Sequence, residues 1–309
     1  MKKIALIEIY PNKKMNLKKL IDAHLRNSVI ISEFLECDLL IEEKDFLKAV
    51  NKQYDVLILG YASRYAPFQL IKKIVENNPD ARKIVLSNEY NITSSVAGFR
   101  PYEIISNYER LNTSKSVIQQ YVLNLNLLLA KEPNALTEKK YDCIYYGTFR
   151  VNRTEYFKKY LHQDIYVSTS PKNFKKFKHI ECNPKYISKL NWTSRKETLN
   201  LFKYQLYIED VNTHDNFNNL ANRWYEAGFC NNVVFFDHNC LNTIYKSEIN
   251  YFIEQINDYI VTDYEDLKNK IEHCNKDFEK HLAIQKGWRL NQMQLRTEMM
   301  LELKNIINK

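Results

Sequence analysis

YDCIYYGTFRVNRTEYFKKYL, residues 141–161, decides how the chain is built. An apolar run, DCIYY, delivers the backbone to Gly147, one of only five glycines in 309 residues, and a helix-forming run begins a few residues later. Asn152 and Thr154 both suit the cap of that helix. Strand, glycine turn and helix in this order open a βαβ unit. Such a turn aims unpaired amide N–H groups and the positive end of the helix beyond the strand, which suits a phosphate. Arg150 and Arg153 add two guanidinium forks there, and a diphosphate accepts paired hydrogen bonds from such forks better than from a lysine point charge. The alternative is a pair of solvated first-turn residues, at the helix end where cations are disfavoured. The turn has neither the GxGxxG nor the Walker lysine pattern, which argues against a dinucleotide or P-loop site.

The same alternation extends in both directions. Before it run the strand-like KKIALIEIY, a helix expected over 15–35, CDLLI, the helical DFLKAV, YDVLILGY at 54–61, the helical FQLIKKIVENN, RKIVLSN at 82–88 and EIISNY at 103–108. The polar, Pro-containing KEPNALTEKK, 131–140, reads as a linker. After it come DIYVS, the helical SRKETLNLF, YQLYIED, the helix NLANRWYEAG with Gly228 closing it, NVVFFD, YIVTD and DYEDLKNKIEHC. A last helix, 287–307, carries apolar residues at Trp288, Leu290, Met293, Leu295, Met299, Leu301, Leu303 and Ile306. The expected fold is therefore α/β with two Rossmann-like domains, 1–130 and 141–286, and a helix, 287–309, packing back toward the first. Ligands are expected in a central cleft at the carboxyl ends of the two sheets.

Bulk properties agree with two soluble domains. Apolar residues make up 45 % and charged residues 27 %. No apolar run approaches the ~18 residues of a membrane span, and the start, MKKIALIEIYPNKK, is too acidic for a signal peptide, so a cytoplasmic protein is expected. The six cysteines are scattered without a CxxC pair, so neither a zinc site nor a disulfide framework is indicated and reduced, mostly buried thiols are expected. A net charge of +8 suits a polyanionic partner or serves solubility alone.

A second constellation lies in IEDVNTHDNFNNLANRWYEAGFCNNVVFFD, 208–237. Asp210 ends a strand, Asp215 and Asn216 occupy a loop, and Arg223 and Glu226, three apart, share one helix face. Glu226 there can accept both hydroxyls of a ribose while Arg223 reaches a phosphate. An ordinary intrahelical ion pair is the alternative.

Together the two stretches resemble the DNA β-glucosyltransferase family of T-even bacteriophages, two-domain GT-B enzymes that move glucose from UDP-glucose onto 5-hydroxymethylcytosine in duplex DNA. The resemblance is carried by YYGTFRVNR, by Asp210 with DNF at 215–217, by RWYE at 223–226 and by VVFFD. It implies that Arg150, Arg153 and Arg223 hold the donor's diphosphate beside Gly147 and Thr148, and that Glu226 holds its ribose. Leu190 and Asn191, in KLNWTSRKE with Trp192, fall at the uracil pocket. The family's catalytic base, an aspartate after a strand of the first domain, corresponds to Glu89. An inverting transfer from a UDP-sugar to a hydroxymethylated or hydroxylated pyrimidine of phage DNA follows, by a monomer in the host cytoplasm. Asp210 or Asp215 could approach a diphosphate-bound Mg²⁺ or Mn²⁺. Lys13, Lys14, Arg64, Lys72 and Lys73 are candidates for gripping DNA phosphates. Two rivals remain: a GT-B transferase acting on a glycan or small acceptor, and an inert relative that only binds DNA or a nucleotide.

Overall fold

The run IALI is buried at all four residues, as an interior strand of a parallel sheet covered on both faces must be. The computed structural model describes residues 2–8, 23–60, 68–88, 99–109, 117–188, 190, 199–210, 213 and 219–309. They divide into two units, Met1–Leu129 with Leu295–Lys309, and Ala130–Gln294.

The first unit is built from β1 (Ile4–Ile7), α1 (Ala23–Leu35), β2 (Asp38–Leu40), α2 (Glu43–Ala49), β3 (Val56–Leu59), α3 (Phe68–Glu76), β4 (Arg82–Ser87), β5 (Tyr102–Ser106) and β6 (Val117–Val122). Among the described residues its sheet runs β2-β1-β3-β4-β5-β6, all parallel, with Ile4 opposite Val56 and Ile7 opposite Leu59. Phe46, Leu57, Ile71, Ile74 and Ile104 fill the core between sheet and helices. The expected helical residues 15–22 lie outside the described residues.

The second unit contains β7 (Tyr141–Tyr146), α4 (Thr154–Tyr160), β8 (Tyr166–Thr169), α5 (Pro171–Lys178), β9 (Lys185–Ser188), β10 (Phe202–Tyr207), α6 (Asn222–Phe229), β11 (Val233–Asp237), α7 (Leu241–Lys246), β12 (Ile260–Val261) and α8 (Tyr264–Asn275). Its parallel sheet runs β12-β11-β10-β7-β8-β9 among the described residues. The chain lays β8 and β9 on one side of β7 and returns to lay β10 on the other. The order therefore reverses between β7 and β10, the place where open α/β sheets take ligands. Residues 131–140 follow the surface of this unit: the Asn134 amide donates to the Phe229 carbonyl at 2.9 Å and Lys139 Nζ to the Cys230 carbonyl at 2.9 Å.

The helix α9 covers Phe278–Asn308, so it begins nine residues before Gly287, where sequence reading starts it. Space around Gly287 is open and the helix simply runs through it. Of the apolar positions read in the sequence, Trp288, Met299, Leu303 and Ile306 are buried, whereas Leu290 and Leu301 are 65 % and 54 % exposed. Gln285, Arg289 and Gln292 are buried as well. Gln285 brackets β11, accepting from the Val234 amide and donating to the Val234 carbonyl, both at 2.9 Å, and Gln292 accepts from the Trp224 indole at 3.0 Å. Buried amides satisfied in this way are tolerated in a core, and an apolar count cannot find them. Beyond Gln294 the helix belongs to the first unit, where Arg82 donates to the Ile306 and Ile307 carbonyls while forking onto Glu103. No helix among the described residues is long and apolar enough to cross a membrane.

Candidate functional site

A cavity of about 430 Å³ opens at the carboxyl ends of β7 and β8, within the size range of small-ligand sites. The turn after β7 supplies Gly147, Thr148, Arg150 and Arg153, and the first turns of α6 supply Arg223 and Glu226. Sequence reasoning thus brought together six residues that share one cavity. It missed a further wall, Ser168–Ser170 and Asn173, where β8 meets α5. Small hydroxyl residues at a strand end carry no distinctive pattern in a sequence.

Local chemistry explains why the turn has this shape. Val151–Arg153 form a single 3₁₀ turn before α4, and the residue at the helix cap is Arg153, with no side-chain cap, rather than Asn152 or Thr154. The start of α6 likewise lacks a side-chain cap at Ala221. Both helix starts border the cavity, and a helix start carries positive partial charge. A Cβ on Gly147 would lie 2.8 Å from the Tyr145 hydroxyl, so the glycine makes room for a buried tyrosine of its own strand.

Of the two first-turn arginines, Arg153 is withdrawn from solvent and Arg150 is not. Arg153 is 3 % exposed; its Nε donates to Asp210 Oδ2 at 3.1 Å and its Nη2 to Glu209 Oε2. Arg223 donates from Nη1 to the Ile208 carbonyl at 2.9 Å and places Nη2 3.0 Å from Glu209 Oε1. Its guanidinium also lies 5.9 Å and 5.5 Å from the Tyr145 and Tyr207 ring centres. Arg150 is exposed at the rim. One buried carboxylate, Glu209, therefore joins the arginine of the first stretch to that of the second. The sequence gives no hint of it, because residues 56 apart meet only once β7 and β10 are paired, Leu206 opposite Tyr145.

The electrostatics follow from this bridge. Burial alone would lower the pKa of Arg223, but Glu209 beside it raises it above the ordinary arginine value. Burial and the neighbouring Arg223 act the same way on Arg153, and Glu209 again prevails. Burial would raise the Asp210 carboxyl; Arg153 and the Thr213 amide instead hold it below the usual range.

Asp210 stands behind Arg153 and does not line the cavity. Leu190 is buried, and its amide donates to Ser168 Oγ at 2.8 Å, which ties it to the cavity wall without making it part of the lining. Asn191, Trp192, Asp215, Asn216 and Glu89 lie outside the described residues, as do Lys13, Lys14 and Arg64. Lys72 lies on α3, 3.6 Å from Glu76. Among the described residues no group of three His, Cys, Asp or Glu side chains could hold a metal ion, and both oxygens of Asp210 accept hydrogen bonds from Arg153 and Thr213. These residues do not fit a metal.

Gly228 has a different role from the one its sequence position suggests. It lies inside α6, and Asn231, at φ 54°, takes the left-handed conformation after the helix. A Cβ on Gly228 would lie 2.6 Å from Nε of Arg289, whose guanidinium stacks 4.9 Å from the Trp224 ring centre and donates to the Asn232 carbonyl at 2.9 Å. Alanine favours a helix interior by roughly 0.5–1 kcal/mol over glycine, yet overpacking costs about 1–3 kcal/mol. Gly228→Ala is expected to melt below wild type; an unchanged or higher melting temperature would show that Arg289 gives way.

No family model matches the chain, and no curated protein matches it. Solved structures do. T4 phage β-glucosyltransferase in complex with UDP and Mn²⁺ is 17 % identical, with 99 % of this chain and 100 % of that one covered at a TM-score of 0.70. An α-glucosyltransferase in complex with UDP-glucose and DNA containing an abasic site is 12 % identical, with 100 % of each chain covered and a TM-score of 0.61. A glycosyltransferase involved in avilamycin A biosynthesis is 10 % identical, with 99 % of this chain and 98 % of that one covered and a TM-score of 0.53. Two six-stranded parallel sheets flanked by helices, matched along the whole length of these enzymes, give this chain the GT-B fold.

Proposed function

We propose that the chain is a glycosyltransferase that moves a sugar from a UDP-sugar, UDP-glucose foremost, onto a hydroxymethylated or hydroxylated pyrimidine of duplex DNA. The observation that carries this reading is the convergence of Arg150, Arg153, Arg223 and Glu226 with two uncapped helix starts on one cavity of the second unit. Cations and amide groups gathered in that way suit the diphosphate of a nucleotide sugar. Glu226, 5 % exposed, supplies a carboxylate for the ribose hydroxyls.

Glu89 follows Ser87, the last residue of β4, by two positions and takes the proton of the acceptor hydroxyl. The acceptor oxygen attacks the anomeric carbon from the face opposite the diphosphate. The bond from that carbon to the β-phosphate oxygen breaks, and its electron pair leaves on UDP. Arg150, Arg153 and Arg223 stabilise the charge developing there, the kind of preorganised electrostatics that supplies the largest share of many rate enhancements. A base inside a duplex has to leave the stack to be reached in this way.

The structural neighbours support the donor, since one is a complex with UDP and another a complex with UDP-glucose and DNA. The avilamycin neighbour favours a small-molecule acceptor as the second reading. Purified protein with UDP-glucose should release UDP when given DNA containing 5-hydroxymethylcytosine and not when given plain DNA. Transfer confined to a glycan or small acceptor would replace the DNA reading. Binding of DNA with no turnover of any sugar nucleotide would overturn both.

A further inference from the structure

We infer that Glu209 is a counter-anion built into the diphosphate site, a positioning residue that orients Arg153 and Arg223 and weakens their hold on the UDP product. The inference rests on the donor site proposed above. Glu209 is 2 % exposed and lies two residues after Tyr207, the last of β10. One of its oxygens takes Arg153 and the other takes Arg223, the latter at 3.0 Å, while Asp210 takes the remaining face of Arg153. Two guanidinium charges thus meet two carboxylate charges before any ligand arrives.

A carboxylate in that place has two opposed effects. It fixes two long side chains in one geometry, so that little rotamer freedom remains to be lost when a phosphate docks. It also shares the guanidinium hydrogens with the phosphate and repels it through a poorly screened interior. The second effect grows as the reaction proceeds. A sugar diphosphate carries two charges on its phosphates; once the sugar has gone, the terminal phosphate keeps a single anhydride link and gains a second ionisation near pH 6, adding roughly one more charge near neutral pH. Three arginines without a counter-charge would trap that product. With Glu209 between two of them, the repulsion is largest for UDP and smaller for the donor.

The test compares wild type, Glu209→Gln and Glu209→Asp by calorimetric titration with UDP and with UDP-glucose at pH 7.5, alongside thermal melts. Glu209→Gln keeps the shape and removes the charge, so it should bind UDP at least about 10-fold tighter, suffer stronger inhibition by UDP and turn over more slowly. Glu209→Asp keeps the charge and should stay within about 3-fold of wild type. A carboxylate needed only to hold the fold would give the opposite result, weaker binding in Glu209→Gln. A folded Glu209→Gln protein with equal or weaker UDP affinity overturns the inference. Should that variant not fold, wild type decides: the inference requires UDP to bind no more than a few-fold tighter than UDP-glucose, and a preference for UDP beyond about 10-fold overturns it. If wild type binds neither ligand, the donor-site reading falls and this inference with it.

Discussion

Arg153→Ala is expected to lose about 3–5 kcal/mol of unfolding free energy, the usual cost of removing one partner from a buried ion pair. The reason is what stays behind. Glu209 and Asp210 are 2 % and 4 % exposed, and both face Arg153. Without it they remain as buried carboxylates, and among the described residues Arg223 is the one opposite charge still paired with Glu209. Urea titration monitored by tryptophan fluorescence reads this directly, and a loss below about 1 kcal/mol would mean that water or a rearranged side chain solvates the pair. The pH dependence should change as well. In wild type the Asp210 carboxyl lies below its unfolded range, so its contribution is fully present above about pH 4 and fades as the pH falls through the lower folded value. In Arg153→Ala that contribution disappears, and the Asp210 carboxyl, buried without its cation, gains from protonation. The gap between variant and wild type should therefore narrow on acidification from pH 7 toward pH 4. UDP binding should fall below detection in the same protein.

The second large effect is kinetic. Glu89→Gln is expected to cut turnover by about 10²–10⁴-fold, the span that a positioned general base supplies. UDP affinity should stay within a factor of about 2, because every residue lining the cavity belongs to the second unit and Glu89 to the first. This split of kcat from binding separates a base from a residue that merely supports the site. Turnover equal to wild type would remove Glu89 from the mechanism, and a parallel loss of UDP binding would recast it as structural.

Much of the architecture was legible because β1, β3, β7, β10 and β11 are short apolar runs separated by helices with an apolar stripe, and that pattern admits little besides parallel sheets. Arg153, Arg223 and Glu226 stood out for a similar local reason, being charged residues at helix starts after strand ends. What escaped was contact across distance. Glu209 sits beside Asp210 in the chain, yet only strand pairing brings it between two arginines. Gly147 and Gly228 looked like backbone devices, whereas each leaves room for one side chain, Tyr145 or Arg289. The face of α9 was read in part: Trp288, Met299, Leu303 and Ile306 are buried as expected, whereas Gln285 and Gln292 are buried through hydrogen bonds to Val234 and Trp224. A hydropathy pattern treats such amides as solvent-facing.

The division of α9 between the units sets an order of assembly. Residues 130–294 form one continuous stretch of chain, while the first unit consists of 1–129 together with 295–309. During synthesis the amino-terminal strands leave the ribosome first, but the Ile306 and Ile307 carbonyls that Arg82 holds are made only after the whole second unit. At a ribosomal pace of roughly 5–20 residues per second, the earlier-made sheet waits on the order of ten seconds or more for its last helical segment. The unit encoded first is therefore the one completed last, and a nascent chain halted near residue 294 would carry every residue lining the cavity while the first unit still lacked its final segment.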